Sequence, residues 1–153
     1  MGGYYDVDKQ SENAPRSSAA PEPGLGAVSE YQVSALPYAT SSQANTGVTY
    51  NISFPKVTSW IVIKNHGTAT EHIRLGFTKN GVEGGNHIRI DGGTGAASNP
   101  TYYLRVKEVF IRSDSGASPG FSLLAGLTMI PTKFMPTLTG SVSSSQGYWD
   151  GVG

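Results

Sequence analysis

Four stretches of the chain carry residue types that can do chemistry. Gly116-Ala-Ser118-Pro-Gly120 has the Gly-x-Ser-x-Gly spacing of a nucleophile elbow. In that device a helix follows the serine directly, and the strained strand–helix turn exposes its Oγ. Here Pro119 and then an apolar, strand-like run follow, so the pattern reads as a surface turn. Asp91-Gly92-Gly93-Thr94-Gly95 has the glycine content of a phosphate-cradling loop. It lacks the Gly-Lys-Ser/Thr ending, and no helix pattern follows whose N-terminus could meet a phosphate. His72 with Glu71, His87 and Asp91 can be brought together across strands as metal ligands. No ligand spacing specifies such a site, and His66 stands apart from it. Asn51-Ile52-Ser53 is a glycosylation sequon, but it lies inside a strand pattern. The chain is therefore expected to carry no catalytic residue, metal or cofactor, and to be no enzyme.

The elements that would position these residues are strands. The central one is Val57-Thr-Ser-Trp-Ile-Val-Ile-Lys-Asn65, rich in the β-branched and aromatic side chains that suit a pleated, half-buried surface. Trp60 and Val62 share one of its faces, and Val57, Ile61 and Ile63 the other. One face is expected in a core and the other partly against a neighbour or a covering tail. Val48 to Phe54 alternates with Val48, Tyr50, Ile52 and Phe54 on one side. His72 to Thr78 turns Ile73, Leu75 and Phe77 inward and His72, Arg74 and Thr78 outward. Asn80-Gly81 then reads as a hairpin turn. Tyr31 to Leu36, stopped by Pro37, and His87 to Ile90 are shorter runs. Tyr102 to Arg112 reads as one long strand with a bulge or two-sided burial near Lys107-Glu108, because its apolar phase flips there. Phe121 to Thr128 is a last, nearly all-apolar strand. Short strands at this spacing, with no amphipathic helix among them, predict an all-β antiparallel sandwich or barrel of about eight strands, topology open.

Charged residues make up only 14% of the chain, against about 25% in an ordinary soluble domain. Charge is depleted at the cores of interfaces, so this composition suits a surface that faces other subunits. The net charge of zero conceals a division: residues 1–30 carry two cations against five carboxylates, and residues 31–140 nine against five. No run of like charge is long enough for a nucleic-acid arm, so direct nucleic-acid binding is not expected. The absence of cysteine rules out disulfides, thiolate chemistry and Cys-based zinc sites. No transmembrane segment or secretion signal is expected from the hydropathy. Asp6 replaces the Ser or Thr that a myristoylation motif would need.

Both ends of the sequence read as tails. Residues 1–28 form an extended arm with Pro15, Pro21 and Pro23, and residues 139–153 a Gly/Ser tail, flanking a domain over 29–138. Tyr4 and Tyr5 in the first and Tyr148 and Trp149 in the second are aromatics without a local core. They are the expected interface residues, since aromatics supply much of the binding energy at protein contacts.

Several stretches together resemble the small single jelly-roll capsid proteins of large icosahedral double-stranded DNA viruses, the group that includes the penton, or vertex, protein. They are Val57 to Asn65, Leu75-Gly-Phe-Thr-Lys-Asn-Gly-Val82, Arg105-Val-Lys-Glu-Val-Phe-Ile-Arg-Ser-Asp-Ser115, Phe121 to Thr128 with Ile130-Pro131, Pro136-Thr-Leu-Thr-Gly140, and the closing Gly151-Val-Gly153. Their order and spacing over residues 31–140 carry the resemblance. It implies a single jelly roll that assembles in the host cytoplasm as a homopentamer at the five-fold vertices of the virion. Its neighbours would be major and minor capsid proteins, and no catalytic residue is implied. The competing expectation is a β-sandwich receptor- or carbohydrate-binding domain of a spike or fibre, reading its ligand through loop aromatics such as Tyr102 or Tyr103.

Overall fold

The computed structural model describes residues 36–93, 100–138 and Val152. The whole N-terminal arm, with Tyr4 and Tyr5, and the C-terminal tail apart from Val152, with Tyr148 and Trp149, lie outside the described residues. The chain runs through β1 (Leu36–Gln43), β2 (Thr49–Ser53), β3 (Lys56–Asn65) and β4 (Ile73–Gly76). A short helix α1 (Lys79–Glu83) precedes β5 (Ile88–Ile90), β6 (Thr101–Tyr102), β7 (Glu108–Ser113) and β8 (Gly120–Pro131). A single 3-10 turn, Thr132–Phe134, follows β8.

The strands form two four-stranded antiparallel sheets, ordered β1-β8-β3-β6 and β2-β7-β4-β5, packed face to face as an all-β sandwich. The pairing is nested: β1 bonds to β8, β2 to β7, β3 to β6 and β4 to β5. Ladders β3–β8 and β4–β7 complete the sheets. The expected central strand is thus an interior strand of the first sheet, hydrogen-bonded on both sides.

Period two puts alternate side chains into the core. From the first sheet Ile61, Ile63, Phe121, Leu123 and Ala125 meet Ile73, Leu75, Val109 and Ile111 from the second. Each of the larger of these side chains, alanine apart, is worth about 1.5–3 kcal/mol relative to exposure. Tyr38 closes edge-on against Phe54 at 5.2 Å between ring centroids, and Tyr50 against Phe121 at 6.5 Å. The second pair ties one sheet to the other, and the first ties β1 to the β2–β3 connection.

The β3–β8 register shifts twice between Lys56 and Trp60, and buried threonines take up the displaced backbone groups. Thr128 Oγ1 donates to the Val57 carbonyl at 2.8 Å and accepts from the Ile130 amide at 3.1 Å. Thr58 Oγ1 donates to the Leu104 carbonyl at 2.7 Å and accepts from the Val106 amide at 3.1 Å. Both threonines are fully buried. A hydroxyl that both donates and accepts is what a ladder irregularity requires.

Several elements differ from the sequence-based expectation. The run Tyr102 to Arg112 is two strands in different sheets, β6 and β7, so its phase flip is the crossover between sheets rather than a bulge. Asn80-Gly81 lies inside α1 and not in a hairpin turn. Thr78, expected to point outward, is 4% exposed and caps that helix, accepting from the Gly81 amide at 2.9 Å. Of the run Tyr31 to Leu36 only Leu36 is among the described residues, and the strand that begins there includes Pro37. Since β1 is a sheet edge, half of its amides face away from β8, and a missing donor is tolerated there.

Candidate functional site

The motifs that suggested chemistry are each tied into the scaffold. Ser118 is exposed and leads through Pro119 into β8. Its Oγ accepts from the Thr46 amide at 3.4 Å, while Thr46 Oγ1 donates to the Ala117 carbonyl at 3.0 Å. Ser113 Oγ donates to the carbonyls of Ser115 and Ala117, both at 2.7 Å, so the loop is braced from inside. The surface-turn reading agrees with this placement.

Of the glycine loop, Asp91, Gly92 and Gly93 are described, and Thr94 and Gly95 are not. A Cβ on Gly92 would come within 2.5–2.8 Å of the carbonyl oxygens of Gly67, Thr68 and Glu71. Gly93, with φ +101°, donates its amide to the Gly67 carbonyl at 2.7 Å. Close backbone approach to the 67–71 turn accounts for these two glycines. What surrounds Gly92 is carbonyl oxygen, the wrong polarity for a phosphate.

The four residues imagined as metal ligands are parted by the β4–β5 register, Ile73 opposite Ile90 and Leu75 opposite Ile88. His72 and Asp91 meet, with Nδ1 2.8 Å from Oδ1, though out of line for a hydrogen bond. Glu71 instead accepts from the Thr68 amide at 2.6 Å. His87 lies at the opposite end of β5, where it borders an open cleft of about 240 Å³ with Leu75, Phe77 and Ile88. Its buried Nδ1 has no hydrogen-bond partner. Among the described residues no three His, Asp or Glu side chains converge as metal ligands. His66 pairs with Ser122 Oγ at 2.7 Å on the surface. Asn51 sits on the outward side of β2 with its amide donating to Glu108 at 2.9 Å.

The two outer faces of the sandwich are chemically unlike each other. On the second sheet Arg112, Arg74 and Arg89 stand in one cross-strand row. Like charges directly opposite repel, and here carboxylates interleave them. Arg112 reaches Glu83 at 3.3 Å, Arg74 reaches Asp114 at 2.5 Å and Arg89 reaches Asp91 at 3.1 Å. This is a charge-balanced, solvated face.

The first sheet is the opposite. Its register aligns Pro37, Gly126 and Trp60 in one row and Ala39, Leu124 and Val62 in the next. A third row, Ser41, Ser122 and Lys64, brings the first charge. Leu124 is 44% and Met129 52% exposed, while Trp60 and Val62 are half-buried. Beyond this face Tyr103, just after β6, is 80% exposed. Burial raises the ionisation of the neighbouring Tyr102 phenol above its ordinary range. No protein-family model, curated protein or solved structure matches this chain. The apolar sheet face therefore stands as the candidate functional surface on its own chemistry. Trp60 and Val62 were legible as a second apolar face of the central strand. Leu124 and Met129 were not singled out, although the nearly continuous apolar run of β8 carries the same signal.

The other contact with no sequence signature is at α1. Val152, from the Gly/Ser tail, is 6% exposed. Its carbonyl accepts a short hydrogen bond from Thr78 Oγ1. No helix among the described residues is long and apolar enough to cross a membrane.

Proposed function

We propose that this protein is a structural capsid subunit, a single jelly roll that assembles as a homopentamer at the five-fold vertices of an icosahedral virus shell. The observation that carries the reading is the outer face of the β1-β8-β3-β6 sheet. Trp60, Val62, Leu124, Pro37 and Ala39 are contiguous there, and the row beyond Val62 carries Lys64. A contiguous exposed apolar patch of this kind marks a contact surface, and the charged face of the other sheet makes it specific to one side of the molecule. The nested pairing of first strand with last, second with seventh, and so inward, is the order that a long hairpin takes when rolled into two sheets. It supports the jelly-roll reading. Major and minor capsid proteins are the proposed neighbours, and the virion, assembled in the host cytoplasm, the proposed location. Heterologous packing around a closing five-fold axis would bury one face of each subunit against a different surface of the next.

The test is the mass of the purified protein in solution, paired with negative-stain electron microscopy. A pentamer is expected for the native chain. Leu124→Asp should give monomers whose circular dichroism is unchanged, because Leu124 is outside the core. A native monomer at high concentration, or a Leu124→Asp variant of unchanged mass, would overturn the reading.

One observation favours a second reading, a carbohydrate-binding domain of a spike or fibre. Tyr103 is 80% exposed at the end of β6, and an exposed ring can stack on a sugar. Binding on a glycan array that Tyr103→Ala removes would favour this reading over the first, and a trimeric mass would do the same.

A further inference from the structure

The seat of Val152 beside α1 is a built site. Thr78 Oγ1 accepts the Gly81 amide at 2.9 Å and donates to the Val152 carbonyl, so both capacities of the hydroxyl are used. Gly81 is the only residue type that the seat admits. A Cβ there would lie 2.5 Å from the Val152 carbonyl oxygen, 2.9 Å from Thr78 Oγ1 and 3.0 Å from the Asn86 carbonyl oxygen. The need is for space, and Gly81 has no positive φ.

The two ends of the intervening chain are close together. Leu138 lines a small apolar cavity with Phe77 and Val106, and Val152 is held at Thr78, the next residue along from Phe77. A link of a few residues would join these points within one subunit, yet thirteen residues, 139–151, lie between them. Extended, such a link spans roughly 45 Å, far more than the return needs. Among the described residues the segment is held through Val152 at Thr78, and neither residue belongs to the sandwich core.

We infer that in the assembled protein this seat takes the Val152 segment of a neighbouring copy, so that each subunit gives one segment and receives one. The inference rests on the ring proposed above. Exchange leaves the contacts at Thr78 and Gly81 unchanged and converts surplus linker into a tie between subunits. A heterologous ring fills every seat in this way.

The chain has no cysteine, which makes disulfide trapping clean. Asn86→Cys and Val152→Cys variants of the full chain, mixed, assembled and oxidised, are expected to give a covalent dimer on a non-reducing denaturing gel. The double variant alone should give a ladder up to the closed ring. Adding Gly81→Ala should cut the cross-linked product at least tenfold, as its methyl occupies the place of the Val152 carbonyl. A double variant linked only within single chains, or a mixture without the dimer, overturns the inference. Electron microscopy of the same samples separates the two proposals: rings without interchain links defeat exchange and leave the vertex reading standing, whereas monomers defeat both. Because Asn86 is exposed, the cysteine there is compatible with folding. Val152→Asp in the otherwise native chain gives a second measurement, and undiminished ring formation by it would also count against exchange.

Discussion

Replacing Asn65 by Ala tests how the end of the central strand is held. Asn65 is 6% exposed at the last position of β3. Its Nδ2 donates to the Glu71 carbonyl at 2.7 Å and to the Ile90 carbonyl at 3.1 Å, and its Oδ1 accepts from the Gly67 amide at 2.8 Å. One side chain thus joins β3, the 65–71 turn and the end of β5, across both sheets. Alanine would leave three backbone groups without these partners. Each such bond is worth about 0.5–1.5 kcal/mol net, and more where the orphaned group stays dry. The loop surface admits some water to the turn, so the expected cost is about 2–4 kcal/mol. For a domain of this size that lowers the melting temperature by roughly 10–20 °C. Urea denaturation followed by circular dichroism reads it as a lower midpoint at unchanged slope. Asn65→Asp sharpens the test. It keeps the acceptor for Gly67 but points a carboxylate oxygen at two carbonyls, so it should cost at least as much as alanine at neutral pH. Protonation restores one donor, so the deficit of Asn65→Asp should shrink as the pH falls. A loss below about 1 kcal/mol for Asn65→Ala, or an Asp variant whose deficit is independent of pH, would refute the account.

Thr128→Val preserves shape but leaves the Val57 carbonyl and the Ile130 amide unpartnered in a dry site. It should cost about 1–3 kcal/mol in the same denaturation assay, and a neutral result would mean the backbone re-pairs at the shifted register. The raised Tyr102 phenol contributes stability that is full below its unfolded value near 10 and is lost as the pH rises through the folded value. Tyr102→Phe should therefore flatten the alkaline end of the stability profile, seen in melting curves across that range. Deleting residues 1–27 should leave the melting temperature of the domain within a few degrees, since β1 begins at Leu36, while fewer rings form on grids. Normal assembly by the truncated chain would rule out a role for the arm.

The fold class and most of the core were legible in the sequence because side-chain alternation is local. Ile73 and Leu75, Ile61 and Ile63, and Tyr50 and Ile52 sit on the core side where their spacing placed them. The same logic showed that Ser118 and the 91–93 loop are turns. It misplaced Thr78, whose inward turn depends on capping α1, and it took the sheet-to-sheet passage after Tyr102 for a bulge or two-sided burial within one strand. Alternation reports which side of a strand a residue occupies, and a flip of phase looks alike whether the strand bulges or changes sheet.

By itself the sequence determined an all-β domain of short strands, sandwich or barrel, poor in charge, since those properties follow from residue type and period two. Only the tertiary structure decided which strands share a sheet. That pairing gathers Trp60, Val62 and Leu124 into one apolar face, sets Arg112, Arg74 and Arg89 in one row, and brings Val152 to Thr78 across 74 positions of sequence. Each of these is a contact between residues distant along the chain. Its energy depends on register and on close approach at a glycine, and neither is written in the local pattern of side chains.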